Sequence, residues 1–76
     1  MAHIPMDDVN QLWNETSGHD WSALHDTLER HKGKAQGIDN TLVQDMLKAT
    51  DTLKNEGRPY PDSPQKLHDV LESQVS

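Results

Sequence analysis

Histidine is the chemically versatile side chain that this sequence uses most conspicuously, with five copies in 76 residues and no cysteine. His19, His25 and His31 are spaced six residues apart, and on a helix this spacing turns each one through about 240° from the last. Zinc-binding helices instead present their ligands three or four residues apart, on one face. We therefore predict that these histidines lie in solvent or at the edge of the core, and that the chain holds no metal.

The residue types of a catalytic triad occur together at Ser17-Gly18-His19-Asp20. Residues this close in sequence cannot fold their side chains into the required relay, and no serine lies in a glycine-flanked nucleophile elbow. Neither is there a glycine-rich loop followed by Lys-Ser or Lys-Thr, which a phosphate-binding loop requires. We therefore expect no catalytic residues and no cofactor, and we do not expect an enzyme.

The length and the net charge of the chain limit the number of domains and the kinds of partner that we expect. The length fits one domain, 1–76, which we expect to be a small helical domain with a short N-terminal arm at 1–5. The net charge of −6 repels nucleic-acid phosphates and acidic lipid headgroups. No apolar run approaches the roughly 18 residues that span a bilayer, and the N-terminus has no secretion signal. We expect a cytoplasmic protein without membrane or nucleic-acid partners.

The spacing of apolar residues follows the 3.6-residue period of helices and nowhere the two-residue period of strands. Local signals mark the helix ends, since Asp20 and Ser63 can cap helices and Gly57 can close one. The fold class is therefore predicted to be all-α, a small bundle of about four helices. These helices are predicted at roughly 6–16, 20–32, 39–56 and 63–75.

The third predicted helix, 39–56, is the element around which the bundle must form. Its apolar side chains cover about half of its surface, with Leu53 in the middle of the stripe and Lys48 on the opposite face. So wide a stripe predicts packing against two or more helices, and Asp39 is predicted to cap its start. We also expect this helix to carry more apolar surface than three short neighbouring helices can cover. A second copy of the chain could cover the remainder, so a homo-oligomer is possible.

Four residues are candidates for contact with a partner: Trp13, Trp21, Arg58 and Tyr60. The two tryptophans flank the first loop and are predicted to stack across it in the core, although an exposed tryptophan would be the best interface hot spot. Arg58 begins an Arg-x-x-Pro-x-x-Pro spacing typical of polyproline ligands, whose prolines also fit a rigid connector. Tyr60, between two prolines, is either a lid on the core or an exposed contact.

One short segment resembles a known family. Gly37-Ile38-Asp39-Asn40-Thr41-Leu42 is similar to the Gly-x-Asp-Ser-Leu segment of acyl carrier proteins, which begins their second helix and carries the pantetheine arm. Asn40 stands where the attachment serine would be, and asparagine has no hydroxyl to carry that arm. The resemblance implies, as one alternative, a carrier-like or small-ligand-binding four-helix domain.

The sequence shows no catalytic set, no metal-binding set and no basic face, so it favours a function in binding another protein. We expect a non-catalytic, acidic, helical protein-interaction module, such as an adaptor, an inhibitor or a subunit of an assembly. A core this small supplies only a few kcal/mol of net stability, so a protein partner would also stabilise the fold. Besides the carrier-like domain, a nucleic-acid mimic is a further alternative, because the chain is acidic and helical.

Overall fold

The computed structural model describes residues 3–33 and 37–75, and within them it contains four helices and no strand. The helices are α1 Met6–Glu15, α2 Trp21–His31, α3 Asn40–Asn55 and α4 Pro64–Val75. The predicted all-α bundle is confirmed, and each predicted range differs only by including the capping residue at one or both ends of the helix. Residues 1 and 2 of the predicted arm and 34–36 of the loop after α2 lie outside the described residues, as does 76.

The helices pack in a closed ring. Within the described residues the backbone of α1 comes close to α2 and α4, and that of α3 comes close to the same two helices, whereas α1 and α3 show no such close approach and neither do α2 and α4. The prediction that α3 packs against at least two helices is confirmed. The most extensive contact in the ring is the one between α2 and α3.

The apolar stripe of α3 is covered within the chain. Its least buried members, Leu42 and Leu47, are 9% and 8% exposed, and Leu53 is fully buried. The expectation that three short neighbours would leave part of this stripe uncovered is therefore wrong, because α2 and α4 both pack along it and Ile38 joins the same core. The described core consists of Ile4, Val9, Leu12, Trp21, Leu24, Leu28, Ile38, Leu42, Val43, Met46, Leu47, Ala49, Leu53, Leu67 and Leu71.

The starts of the helices follow the predicted capping residues with one exception. Asp20 Oδ1 accepts a hydrogen bond from the Ala23 N–H at 2.7 Å, and Ser63 Oγ accepts one from the Lys66 N–H at 3.3 Å. Asp39 occupies the N-cap position of α3, but its side chain makes no capping bond there. The neighbouring Asn40 instead accepts a hydrogen bond from the Gly33 N–H at 2.9 Å, which ties the preceding loop to the helix start.

The end of α3 is a Schellman turn that sets the course of the chain beyond it. The Arg58 N–H donates to the Leu53 carbonyl at 3.1 Å and the Gly57 N–H donates to the Lys54 carbonyl at 3.0 Å. Gly57 has a φ of +70°, the left-handed conformation that this turn requires and that glycine adopts without a steric penalty. The turn directs the carbonyl of Arg58 towards α2.

The described part of the N-terminal arm is fastened to α4. Ile4 is fully buried, its N–H donates to Glu72 Oε2 at 3.0 Å, and its carbonyl lies 2.8 Å from His68 Nε2. His3 Nδ1 lies 2.9 Å from the same Glu72 oxygen. The arm therefore adds the side chain of Ile4 to the core and joins the N-terminal segment to the last helix.

Candidate interaction surface

Three of the four predicted partner contacts meet in one cluster of rings. Trp13, His19, Trp21 and Tyr60 form what we call the aromatic corner. The ring centroids of Trp13 and His19 lie 5.1 Å apart, and Tyr60 lies 6.0 Å from each of them. These three rings are within 30° of parallel, with interplanar angles of 29°, 19° and 27°. Trp21 meets Tyr60 edge-on at 4.8 Å and 65°.

Four different elements position these rings. Trp13 lies near the end of α1, His19 in the loop that follows, Trp21 at the first position of α2 and Tyr60 in the connector between α3 and α4. We predicted that the two tryptophans stack on each other. In the described residues they do not, and Tyr60 is instead the ring that both of them contact. The connector after α3 brings the tyrosine ring against both.

A hydrogen bond between distant parts of the sequence fixes the base of the corner. The Trp21 Nε1–H donates to the carbonyl of Arg58 at 2.7 Å. The Schellman turn of α3 presents that carbonyl, and the capping bond from Asp20 fixes the first turn of α2 that carries Trp21. The end of α3 and the start of α2 thus hold the rings in place together.

Exposure separates the supporting rings from the accessible ones. Trp21 is only 6% exposed, so it is a core residue that offers almost no surface to a partner. Trp13 and Tyr60 are partly exposed and His19 is exposed. Sequence reasoning placed His19 among the solvated histidines and missed its stacking, for which its position six residues after a tryptophan gave no signal.

Arg58 contributes its backbone carbonyl to the corner, whereas its side chain points to solvent-exposed neighbours. The side chain is exposed and its Nη1 lies 3.3 Å from Glu56 Oε1. The polyproline interpretation of 58–64 is not supported by the fold, because Pro64 is the first residue of α4 and is not in an extended ligand. Pro59 is exposed and Pro61 is partly exposed, in keeping with a rigid connector.

The hydroxyl group of Tyr60 has an unusual environment. It is buried and has no hydrogen-bond partner among the described residues, although the ring is partly exposed. Burial, and to a lesser extent the negative charge of Asp20, raises the pKa of Tyr60 to about 12. The side chain is therefore neutral over the physiological range, and it contributes to the corner as a ring on which others stack.

The other histidines pair with carboxylates across the helices. His31 is 8% exposed and its Nε2 lies 2.5 Å from Glu15 Oε1, so it is a buried link between α2 and α1 and not the edge residue that we predicted. The hydrogen bond from His31 is the main reason why the pKa of Glu15 lies below its usual value. His25 Nε2 lies 3.6 Å from Asp51 Oδ1. Within 3–33 and 37–75, no three such side chains are arranged to hold a metal ion.

Two grooves on the described part of the surface are smaller than a typical small-molecule pocket. One groove between α3 and α4, beside Ala49 and Val75, measures about 240 Å³, and another beside His25 measures about 210 Å³. Pockets for small ligands usually enclose about 300–1,000 Å³. At the segment that resembles acyl carrier proteins, Asn40 uses its side chain to bond Gly33. Neither feature favours the carrier-like or ligand-binding alternative.

The fold and the corner together define a small four-helix protein with an aromatic surface cluster. No protein-family model, no curated protein and no solved structure matches the chain. None of the helices in the described residues has both the length and the apolar character that crossing a bilayer demands.

Proposed function

We propose that this chain is a non-catalytic, acidic, helical protein-interaction module that binds a protein partner through the aromatic corner. It would act in the cytoplasm as an adaptor, an inhibitor or a subunit of an assembly. The observation that supports this proposal is the partial exposure of Trp13 and Tyr60 beside the exposed residue His19. Tryptophan and tyrosine are among the residues that contribute most to binding energy at protein interfaces.

The way in which the rings are held also favours binding. Trp21 and the Arg58 carbonyl fix Tyr60 from inside the fold, and Tyr60 in turn contacts Trp13 and His19. Rings that are ordered before a partner arrives lose less conformational entropy when it binds. A rigid set of partly exposed aromatic side chains is therefore better suited to recognition than the same side chains on a flexible loop.

Affinity capture with matched variants tests the proposal. Tagged wild-type protein, Trp13→Ala, His19→Ala and Lys48→Ala would each be incubated with lysate of the source cells. We expect wild type and Lys48→Ala, which alters an exposed residue of α3, to retain the same specific protein. Trp13→Ala and His19→Ala should lose most of it. Circular dichroism would confirm that both corner variants are folded, and His19→Ala changes an exposed loop residue with little effect on stability.

Two results would contradict the proposal: recovery of the same protein with all four baits, or recovery of no specific protein by the folded wild type. Sedimentation over a wide concentration range separates a foreign partner from a second copy of the chain. An 8.6 kDa species at every concentration would exclude self-association, which no contact in the fold requires.

A further inference from the structure

We propose that the aromatic corner recognises an arginine side chain on a basic segment of its protein partner. The inference rests on the proposed function and adds the chemistry of the group that is bound. Two independent features of the corner point to it: the arrangement of the rings and the charge around them.

The rings suit a flat cation. Trp13, His19 and Tyr60 lie within 30° of parallel, with centroids 5.1–6.0 Å apart, and all three are at least partly exposed. A cation within about 6 Å of an aromatic centroid is attracted by the negative face of the ring. The arginine guanidinium is planar, more weakly hydrated than the lysine ammonium group and stacks on such faces, so arginine fits the corner better than lysine does.

The two segments of the sequence that carry the exposed rings are rich in negative charge. Residues 13–20 and 56–62, which carry Trp13, His19 and Tyr60, contain four acidic residues and one basic residue, a balance of −3 in 15 residues. The whole chain carries −6 in 76 residues. Half of the net charge thus lies on a fifth of the chain, in the two segments that border the corner. The four acidic residues are Glu15, Asp20, Glu56 and Asp62.

Asp20 is the acidic residue that remains for a partner. Glu15 pairs with His31, Glu56 with Arg58 and Asp62 with Lys66. Asp20 makes no ion pair within the described part of the chain; one carboxylate oxygen accepts the capping bond from the Ala23 N–H. Its charge reaches the corner, since it contributes to the raised pKa of Tyr60.

The alternatives to a cationic occupant are less favourable. An acidic segment would be repelled by the local charge. A purely apolar segment would remove water from the Asp20 carboxylate without giving it a partner, and an unpaired charge is costly to desolvate. A guanidinium group satisfies both features, because it stacks on the rings and pairs with the carboxylate.

A peptide titration tests the inference directly. The probe is an acetylated and amidated Gly-Arg-Gly-Arg-Gly peptide, and the control peptide has citrulline, which keeps the shape and lacks the charge, in place of arginine. Binding would be followed by NMR at about pH 8, above the range in which histidines usually titrate. We expect saturable shifts at the Trp13 indole and little change at the Trp21 indole, whose N–H already donates to the Arg58 carbonyl.

Two protein variants with the same change of charge separate the corner from the acidic surface in general. Asp20→Asn removes the charge and keeps the cap, because asparagine caps helices as well as aspartate does. Asp45→Asn makes the same change beside the C-terminal end of α4, whereas Tyr60 precedes the N-terminal end of that helix. We expect Asp20→Asn to weaken binding about threefold to fivefold at low salt, and Asp45→Asn to leave it nearly unchanged.

Equal binding of the citrulline peptide, equal weakening by both variants, shifts spread over the whole acidic surface, or no binding by the folded wild type would each overturn the inference. These outcomes are distinct from failure of the proposed function. If a partner is captured through Trp13 but the arginine peptide does not bind, the interaction surface stands and its assigned chemistry is wrong.

Discussion

Replacing Tyr60 with phenylalanine removes one oxygen atom from the centre of the aromatic corner and keeps the ring. That oxygen is buried without a hydrogen-bond partner among the described residues. Leaving a buried polar group unpaired costs about 1–3 kcal/mol. Because the Tyr60 ring is partly exposed, we expect the low end of that range, a gain of about 1 kcal/mol in the free energy of unfolding. For a domain of this size the midpoint of thermal unfolding would rise by about 4–8 °C.

The same substitution has a signature in the dependence of stability on pH. The pKa of Tyr60 is raised from 10.0 to about 12 in the folded protein. Between these two pH values the unfolded chain has lost the phenolic proton and the folded chain still holds it, so rising pH favours unfolding. Phenylalanine has no such proton. The advantage of Tyr60→Phe over wild type should therefore be smallest below pH 10 and should grow as the pH rises towards 12.

Chemical unfolding monitored by circular dichroism at neutral pH and at several values above pH 10 measures both effects as differences between the two proteins. Trp21→Phe is the matched control, since it also replaces one ring of the corner with phenylalanine. That variant loses the bond from the indole N–H to the Arg58 carbonyl and should be destabilised by about 1–3 kcal/mol. If Tyr60→Phe were instead destabilising by more than about 0.5 kcal/mol at neutral pH, the hydroxyl would have a stabilising role and the reasoning would be refuted.

Three further changes test the framework around the corner. Leu53→Ala leaves a cavity at a fully buried position and should cost about 2–5 kcal/mol, whereas Lys48→Ala should change stability by less than about 0.5 kcal/mol; equal losses in thermal melts would refute the assigned orientation of α3. Gly57→Ala forces a side chain into a left-handed conformation and should cost about 1 kcal/mol, and an unchanged melting curve would argue against the Schellman turn. The hydrogen bond from His31 lowers the pKa of Glu15, so wild-type stability should decrease as the pH falls from the usual value of 4.5 through the lower folded value, and Glu15→Gln should lose this part of the dependence; identical acid profiles would contradict the pairing.

The helices could be predicted from the sequence because their signals are local. The apolar period fixed the existence of each helix, and the residues Asp20, Ser63 and Gly57 marked ends that the structure places within one residue of the prediction. A capping bond or a left-handed glycine depends on three or four neighbouring residues, all of which are adjacent in the sequence. The exception, Asp39, has a competing neighbour, since the bond from Gly33 to Asn40 organises the same turn.

The arrangement of the corner could not be predicted because it depends on contacts between distant residues. Trp21 and Arg58 are 37 positions apart, and Tyr60, in the connector after α3, meets Trp13 of α1. The hydrophobic period of a helix shows which face is buried, but not which residue of another element that face meets. Sequence reasoning therefore named three of the rings as candidates without showing that Tyr60 would lie against both tryptophans.

The position of the corner follows from the way in which α3 ends. Leu53 anchors the last turn in the core, and its carbonyl accepts the N–H of Arg58 through the Schellman turn. The carbonyl of Arg58 then accepts the indole N–H of Trp21, and the ring of Trp21 supports Tyr60. Each step after the core relies on the one before it. The partly exposed rings are thus an extension of the hydrophobic core to the surface, which explains how a chain with so small a core can hold aromatic side chains in a fixed arrangement at its surface.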